Sequence, residues 1–225
     1  MKKMKVVLLT LFVCIASYMM QAQSLRVMPV SSDDISDEAA MMLYNRLNQA
    51  VSLNGMASTD NSNKFLLIPS VTVVSVEATA TAPINYVAEL EIAIYIVDNS
   101  KKLLLSQETL VKKGVGDNEK NAVMEAVKLV KSRDPKLKKI ITIAKDRIVD
   151  YYNDECESVI ATINSYIDAG LYDMAIDELN AIPQIDAELD CYKKTIEILN
   201  KIPVEQQSKS NNNIKNDNPD VTWIK

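Results

Sequence analysis

The 225-residue chain spaces its apolar residues in four ways in succession: an unbroken run, a helical period, a period of two, and a helical period again. The unbroken run extends from Val6 to about Met20, behind Lys2, Lys3 and Lys5, and small or polar residues follow it. That layout is a secretory signal peptide, with cleavage expected after Ala22. The run is shorter than the ~20 residues a membrane-spanning helix needs. Cys14 follows Val13 and precedes further apolar residues, so it does not read as a lipid-attachment cysteine.

Residues 25–30, LRVMPV, read as a short strand, after which Ser31 or Ser32 stands where a helix cap belongs. The helix that follows carries Asp33, Asp34, Asp37 and Glu38 at its start, where the macrodipole favours negative charge. Ala39, Leu43, Leu47, Ala50 and Val51 keep helical spacing, and Gly55 closes the helix. The period then shortens. Residues 65–82, FLLIPSVTVVSVEATATA, predict one strand or a broken pair, with Pro69 at an edge or bulge. In YVAELEIAIYIV, Ala88, Leu90, Ile92, Ile94 and Ile96 fall on one face and Glu89, Glu91, Ala93 and Tyr95 on the other, the alternation of a half-buried strand. DNSKK turns the chain and LLLSQETLVKK completes an antiparallel meander.

Helical spacing returns in residues 114–134, capped near Asp117, with Ala122, Val123, Ala126, Val127 and Val130 inward. Pro135 opens a third helical region through Leu137, Ile140, Ile141, Ala144, Ile148, Tyr151 and Tyr152 towards Gly170, as one long helix or two. Then YDMAIDELNAIP (172–183) returns as YKKTIEILNKIP (192–203), with six identities in twelve positions. Each copy reads as one amphipathic helix ended by its proline, with Tyr172, Ile176, Leu179 and Ile182 in the first and Tyr192, Ile196, Leu199 and Ile202 in the second as packing faces. The expected class is α+β: an antiparallel sheet with two packed helices, followed by an α-helical, hairpin-like module. The expected divisions are a signal peptide (1–22), an α/β domain (23–133), a helical domain (134–203) and a flexible polar tail with an apolar end (204–225). That end, VTWIK, holds the single tryptophan, so Trp223 and Ile224 are the candidate partner contacts.

Charge and composition narrow the chemistry. Loss of the three signal lysines with no acid takes the net charge from -5 to -8, a poor match to nucleic acid or anionic lipid. After the signal, Cys156 and Cys191 remain, and in an exported chain pairing is expected, two free thiols being the alternative. Histidine is absent, which removes the commonest general base and zinc ligand. GVG at residues 114–116 lacks the third glycine of a dinucleotide loop and the Lys and hydroxyl of a P-loop, and reads as a turn into a helix. The acidic cluster at 33–38 lacks the ligand alternation of a calcium loop. Glu89 and Glu91, paired on one strand face, are the candidate carboxylates for hydrolysis, and Ser106 with Lys112 a formal nucleophile pair.

The segments LYNRLNQAVSLNG, KFLLIPSV and KKGVGDNEKNAVMEAV, in the order helix, meander, helix, give residues 24–133 a resemblance to an envelope α/β domain family. Its members include the amino-terminal domain of the Tol translocation protein, the curli-secretion channel lipoprotein and the lipoprotein activators of penicillin-binding proteins. The resemblance implies a non-catalytic domain that binds a partner or assembles with its own copies; without a lipobox or transmembrane hairpins, a pore is not implied. Tyr166, Gly170, Tyr172, Asp173 and Ala175 stand at tetratricopeptide-like spacings over about 25 residues, implying a helical hairpin of the kind that binds peptides. The expected function is an exported, non-catalytic binding or scaffolding component of the bacterial cell envelope, without cofactor or metal, whose partner is an envelope protein or peptide. The alternatives are a carboxylate-dependent hydrolase of cell-wall or glycan material and a self-assembling subunit, that is, a homo-oligomer.

Overall fold

In the computed structural model the alternating segment becomes β3 (Tyr86–Asp98), an inner strand of a four-stranded sheet in the order β1-β2-β3-β4. The described residues are 25–57, 64–182, 190–203 and 224, without the side chains of Asp190 and Tyr192. The signal-like segment and the tail apart from Ile224, Trp223 included, lie outside them. β2 (Phe65–Ala78) and β4 (Leu103–Gly116) flank β3 antiparallel, and β1 (Leu25–Val27) pairs with β2. The class is α+β, but the sheet is mixed rather than wholly antiparallel, because β1 runs parallel to β2 with Leu25 opposite Phe65 and Val27 opposite Leu67. A parallel neighbour needs a crossover, and α1 (Asp37–Leu53) supplies it.

β2 is one strand in spite of its proline. Leu67 and Val71 turn their carbonyls to the β1 side, where they accept from Met28 N (2.8 Å) and Ser32 Oγ (3.1 Å). Pro69, between them, directs its nitrogen to the same side, beyond the end of β1, so no ladder donor is lost. Ser32 Oγ also accepts from Asp34 N (3.2 Å), and the cap of α1 is Ser36, whose hydroxyl accepts from Ala39 N at 3.3 Å. The helix starts later than its acidic run suggested, leaving Asp33 and Asp34 in a turn.

α2 (Glu119–Lys128) is capped by Asn118, one residue after Asp117, through a 2.9 Å bond from Asn121 N. It lies almost on the backbone of β4. A Cβ built on Gly114 would collide with the backbone of Ala122 and stand 2.8 Å from Ala126 Cα; one on Gly116 would stand 2.6 Å from the carbonyl carbon of Asn121. The GVG glycines therefore belong to β4 and exist to let α2 approach.

α3 (Pro135–Asp154) and α4 (Cys156–Asp168) are two helices, parted at Glu155. α3 is the third helix on the sheet, bound to β4 by Ser106 Oγ donating to Ile140 O (2.8 Å), by the ion pairs Lys112–Asp134 (3.0 Å) and Lys136–Glu108 (3.1 Å), and by Arg147 donating to Leu105 O. The hydrogen bond from Lys136 holds the Glu108 carboxyl below its ordinary range. One apolar core runs from Leu25 through Ile92 and Ile140 to Ile163 and Ile202.

Gly114→Ala is expected to cost at least about 3 kcal/mol, because backbone rather than a side-chain tip must move, and to lower Tm by about 6–12 °C. Gly55→Asn, at φ 69° with nothing within 4 Å, should change Tm by no more than a few degrees. Thermal denaturation of the two variants checks the difference.

Candidate functional site

Helices cover one face of the sheet; the other face presents side chains to solvent. On it Thr72, Glu91, Gln107, Val111 and Lys113 point outward and are exposed. Glu91 lies between Thr72 and Val111 in register, and Glu89 pairs with Lys113 at 3.0 Å. The two candidate carboxylates thus share a solvated strand face, and Glu89 is engaged with a lysine from the next strand. Ser106 and Lys112 do not meet as nucleophile and base, since both serve to anchor α3. Among the described residues, no group of three or more carboxylate or thiol side chains is placed to hold a metal ion.

Towards β1 the same face turns apolar. Leu66 stands directly opposite Val97, and Ile68 opposite Tyr95. With Met28 they form a cluster separate from the main core, and Ile224 packs against it. Ile224, expected to contact a partner, is therefore half-buried on its own sheet. The sequence reading missed this cluster because Tyr95 and Val97 continue the polar side of β3. The one available signal was that this side becomes apolar at its end.

A second polar arrangement joins the sheet to the helical module. Lys64 Nζ lies 2.7 Å from Glu178 Oε2, on α5 (Tyr172–Ala181), and 5.5 Å from the ring centre of Tyr152. Lys101 Nζ sits 3.4 Å above the Tyr151 ring, which meets Tyr152 edge-on. Tyr152 is fully buried, and its hydroxyl has no hydrogen-bond partner among the described residues. Burial pushes its phenol well above the ordinary value, and the charges of Glu178 and Asp98 push it further. The Asp98 carboxylate itself accepts from Ser100 Oγ (2.6 Å) and Lys101 N (3.0 Å), holding the β3–β4 turn. An orphaned buried hydroxyl is a cost. Tyr152→Phe is expected to leave Tm unchanged or raise it, by the equivalent of up to about 1 kcal/mol; a clear loss in a thermal melt would contradict the orphan assignment.

Cys156 and Cys191 are bonded, with Cα atoms 5.4 Å apart, and pin α6 (Asp190–Leu199) to α4; an ion pair between Lys194 and Glu157 runs alongside. In α5 the expected residues face inward: Ile176 and Leu179 are buried and Tyr172 is half-buried. In the second copy Ile196 departs from the expected stripe, being 51% exposed, whereas Leu199 packs partly buried against the core and Ile202 is buried; the side chain of Tyr192 lies outside the described residues. The buried face is Cys191, Thr195, Ile198 and Ile202, at steps of four, three and four. Since Cys191 must face Cys156, the bond sets the rotation of α6, and residues one helical stripe away from Ile196 turn inward. Ile196→Asp should change stability by less than about 0.5 kcal/mol, Ile198→Asp should cost about 3 kcal/mol or more, and reduction of the disulfide up to about 4 kcal/mol. Thermal melts of the oxidised variants, and of the parent with reductant, measure all three.

No family model matches the chain. No curated protein matches it either. Among solved structures, a minor lipoprotein from Acinetobacter baumannii aligns over 56% of this chain and 95% of its own, at 13% identity and a TM-score of 0.38. The PelC dodecamer from Paraburkholderia phytofirmans aligns over 56% of this chain and 83% of its own, at 11% identity and a TM-score of 0.29. Likenesses of this size carry no argument about function.

Proposed function

We propose that the protein is an exported, non-catalytic binding or scaffolding component of the bacterial cell envelope, meeting an envelope protein or peptide through the outer face of its sheet. The observation that carries this reading is the sheet itself, which has helices on one face and an open surface on the other, with Thr72, Glu91, Gln107 and Val111 outward. A strand surface of outward side chains suits a macromolecular partner better than a small substrate, which is held in a concave site. Export is supported by the bond between Cys156 and Cys191, because such bonds persist in oxidising compartments, and by the signal-like N-terminus. The non-catalytic part is supported by the structural employment of Glu89, Ser106 and Lys112. The resemblance of residues 24–133 to the Tol and curli-secretion domain family is in keeping with it. The α4–α5 hairpin, turned at Gly170 (φ 71°), is the segment with the tetratricopeptide resemblance and offers a second contact surface.

Cross-linking in the native envelope followed by mass spectrometry tests this, comparing the parent with a Glu91→Arg/Gln107→Arg variant of unchanged Tm. The expected outcome is one partner captured by the parent and lost by the variant. Equal capture by both would move the contact off the sheet. Release of cell-wall or glycan fragments by the purified protein, abolished in Glu91→Gln, would instead establish the hydrolase, and an oligomer independent of concentration the self-assembling subunit.

A further inference from the structure

Outward side chains on the open face of a sheet ordinarily meet water, as Thr72, Glu91 and Gln107 do. Leu66 and Val97 do not: each is 0% exposed, and Met28 only 5%. Ile68 and Tyr95 wall the patch from the same two strands, so they flank it without roofing it. Among the described residues, the contribution from elsewhere in the chain is Ile224.

The chain has the length to deliver that residue to its own sheet. Residues 204–223 join Pro203 to Ile224, and twenty residues fully extended reach up to ~70 Å, more than the breadth of a domain of this size. Their composition is dominated by Ser, Asn, Gln, Lys and Asp, with little apolar surface to bury, whereas the last five residues are VTWIK. A polar connection that carries an apolar anchor to an apolar patch is the arrangement of a tethered ligand.

We propose that the patch of Met28, Leu66, Ile68, Tyr95 and Val97 is a docking site for a short apolar segment, filled in cis by the chain's own residues around Ile224. The protein thereby carries its own competitor for that end of the outer face. A single aliphatic anchor binds weakly, but the tether presents it at an effective concentration on the order of millimolar, so in dilute solution the cis form predominates. A segment of the same chemistry that binds more tightly displaces it. This inference rests on packing within the chain and does not depend on the envelope role proposed above.

The test uses the full chain and its Ile224→Asp variant, with a labelled synthetic peptide of residues 216–225 as the probe. The variant, its patch vacated, should bind the peptide; the parent should bind it about tenfold or more weakly, because its site is taken. The same peptide carrying Ile224→Asp should lose binding, and Ile68→Asp in the variant chain should abolish it without lowering Tm, Ile68 being only partly buried. Emission from Trp223, the single tryptophan, should shift between parent and Ile224→Asp chain. Should Ile68→Asp unfold the chain, Tyr95→Ser replaces it. Equal peptide binding by parent and variant, binding by neither, or binding undiminished by Ile224→Asp in the peptide would overturn the proposal. So would a parent dimer, seen by sedimentation, that Ile224→Asp dissolves, since the occupant would then come from a second copy.

Discussion

The inward stripe of β3 must be hidden, and the remaining elements are arranged to hide it. Ala88, Leu90, Ile92, Ile94 and Ile96 are all fully buried. Each of the four larger side chains contributes ~1.5–3 kcal/mol by leaving water, together of the order of a domain's whole net stability. No single helix can cover thirteen residues of strand and its two long neighbours. α1 arrives there through the crossover from β1, α2 by way of the glycines that let it touch β4, and α3 through polar ties at Ser106, Lys112, Glu108 and Leu105. The helical module then hangs from α3, so its position follows from the sheet and from no separate core.

Covering one face leaves the other, and two edges, to be managed. At the β4 edge Arg147 and Lys136 donate to the carbonyls of Leu105 and Thr109, which removes acceptors that another strand would seek. At the other edge β1 is only three residues long, and Ser32 takes the carbonyl of Val71 beyond it. The outer face carries Thr72, Glu89, Glu91, Gln107 and Lys113 among the exposed Val111 and Val115, and at the β1 end its apolar residues are covered. That division makes one end suitable for a permanent or exchangeable apolar cover and leaves the rest open to a partner.

The doubled segment shows how little identical wording guarantees an identical role. Ile176 and Ile196 occupy the same place in the two copies, yet one is buried and the other half out in water. The difference lies one residue before the second copy, at Cys191, whose bond to Cys156 turns that helix until Thr195 and Ile198 face inward. A covalent tie of this kind outweighs the preference of one isoleucine, whose burial is worth only ~1.5–3 kcal/mol.

The amino-acid sequence by itself determined the periods, and so which residues could share a face: the alternation of β3, the helical stripes of α1 to α3 and the punctuation at Gly55, Gly170 and Pro135 are all local properties of neighbouring residues. It also determined which chemistry was available, through the absence of histidine and the presence of Cys156 and Cys191. Tertiary structure alone decided what depends on distant partners. β1 joined the sheet in parallel because Phe65 and Leu67 lie beside it, not because of anything in LRV. Ser36 rather than Ser32 capped α1, Ser32 Oγ being bonded to the distant Val71 O and to Asp34 N instead. The apolar end of the outer face, the rotation of α6 and the place of Ile224 were equally invisible, since each is fixed by residues tens of positions away and periodicity reports only on near neighbours.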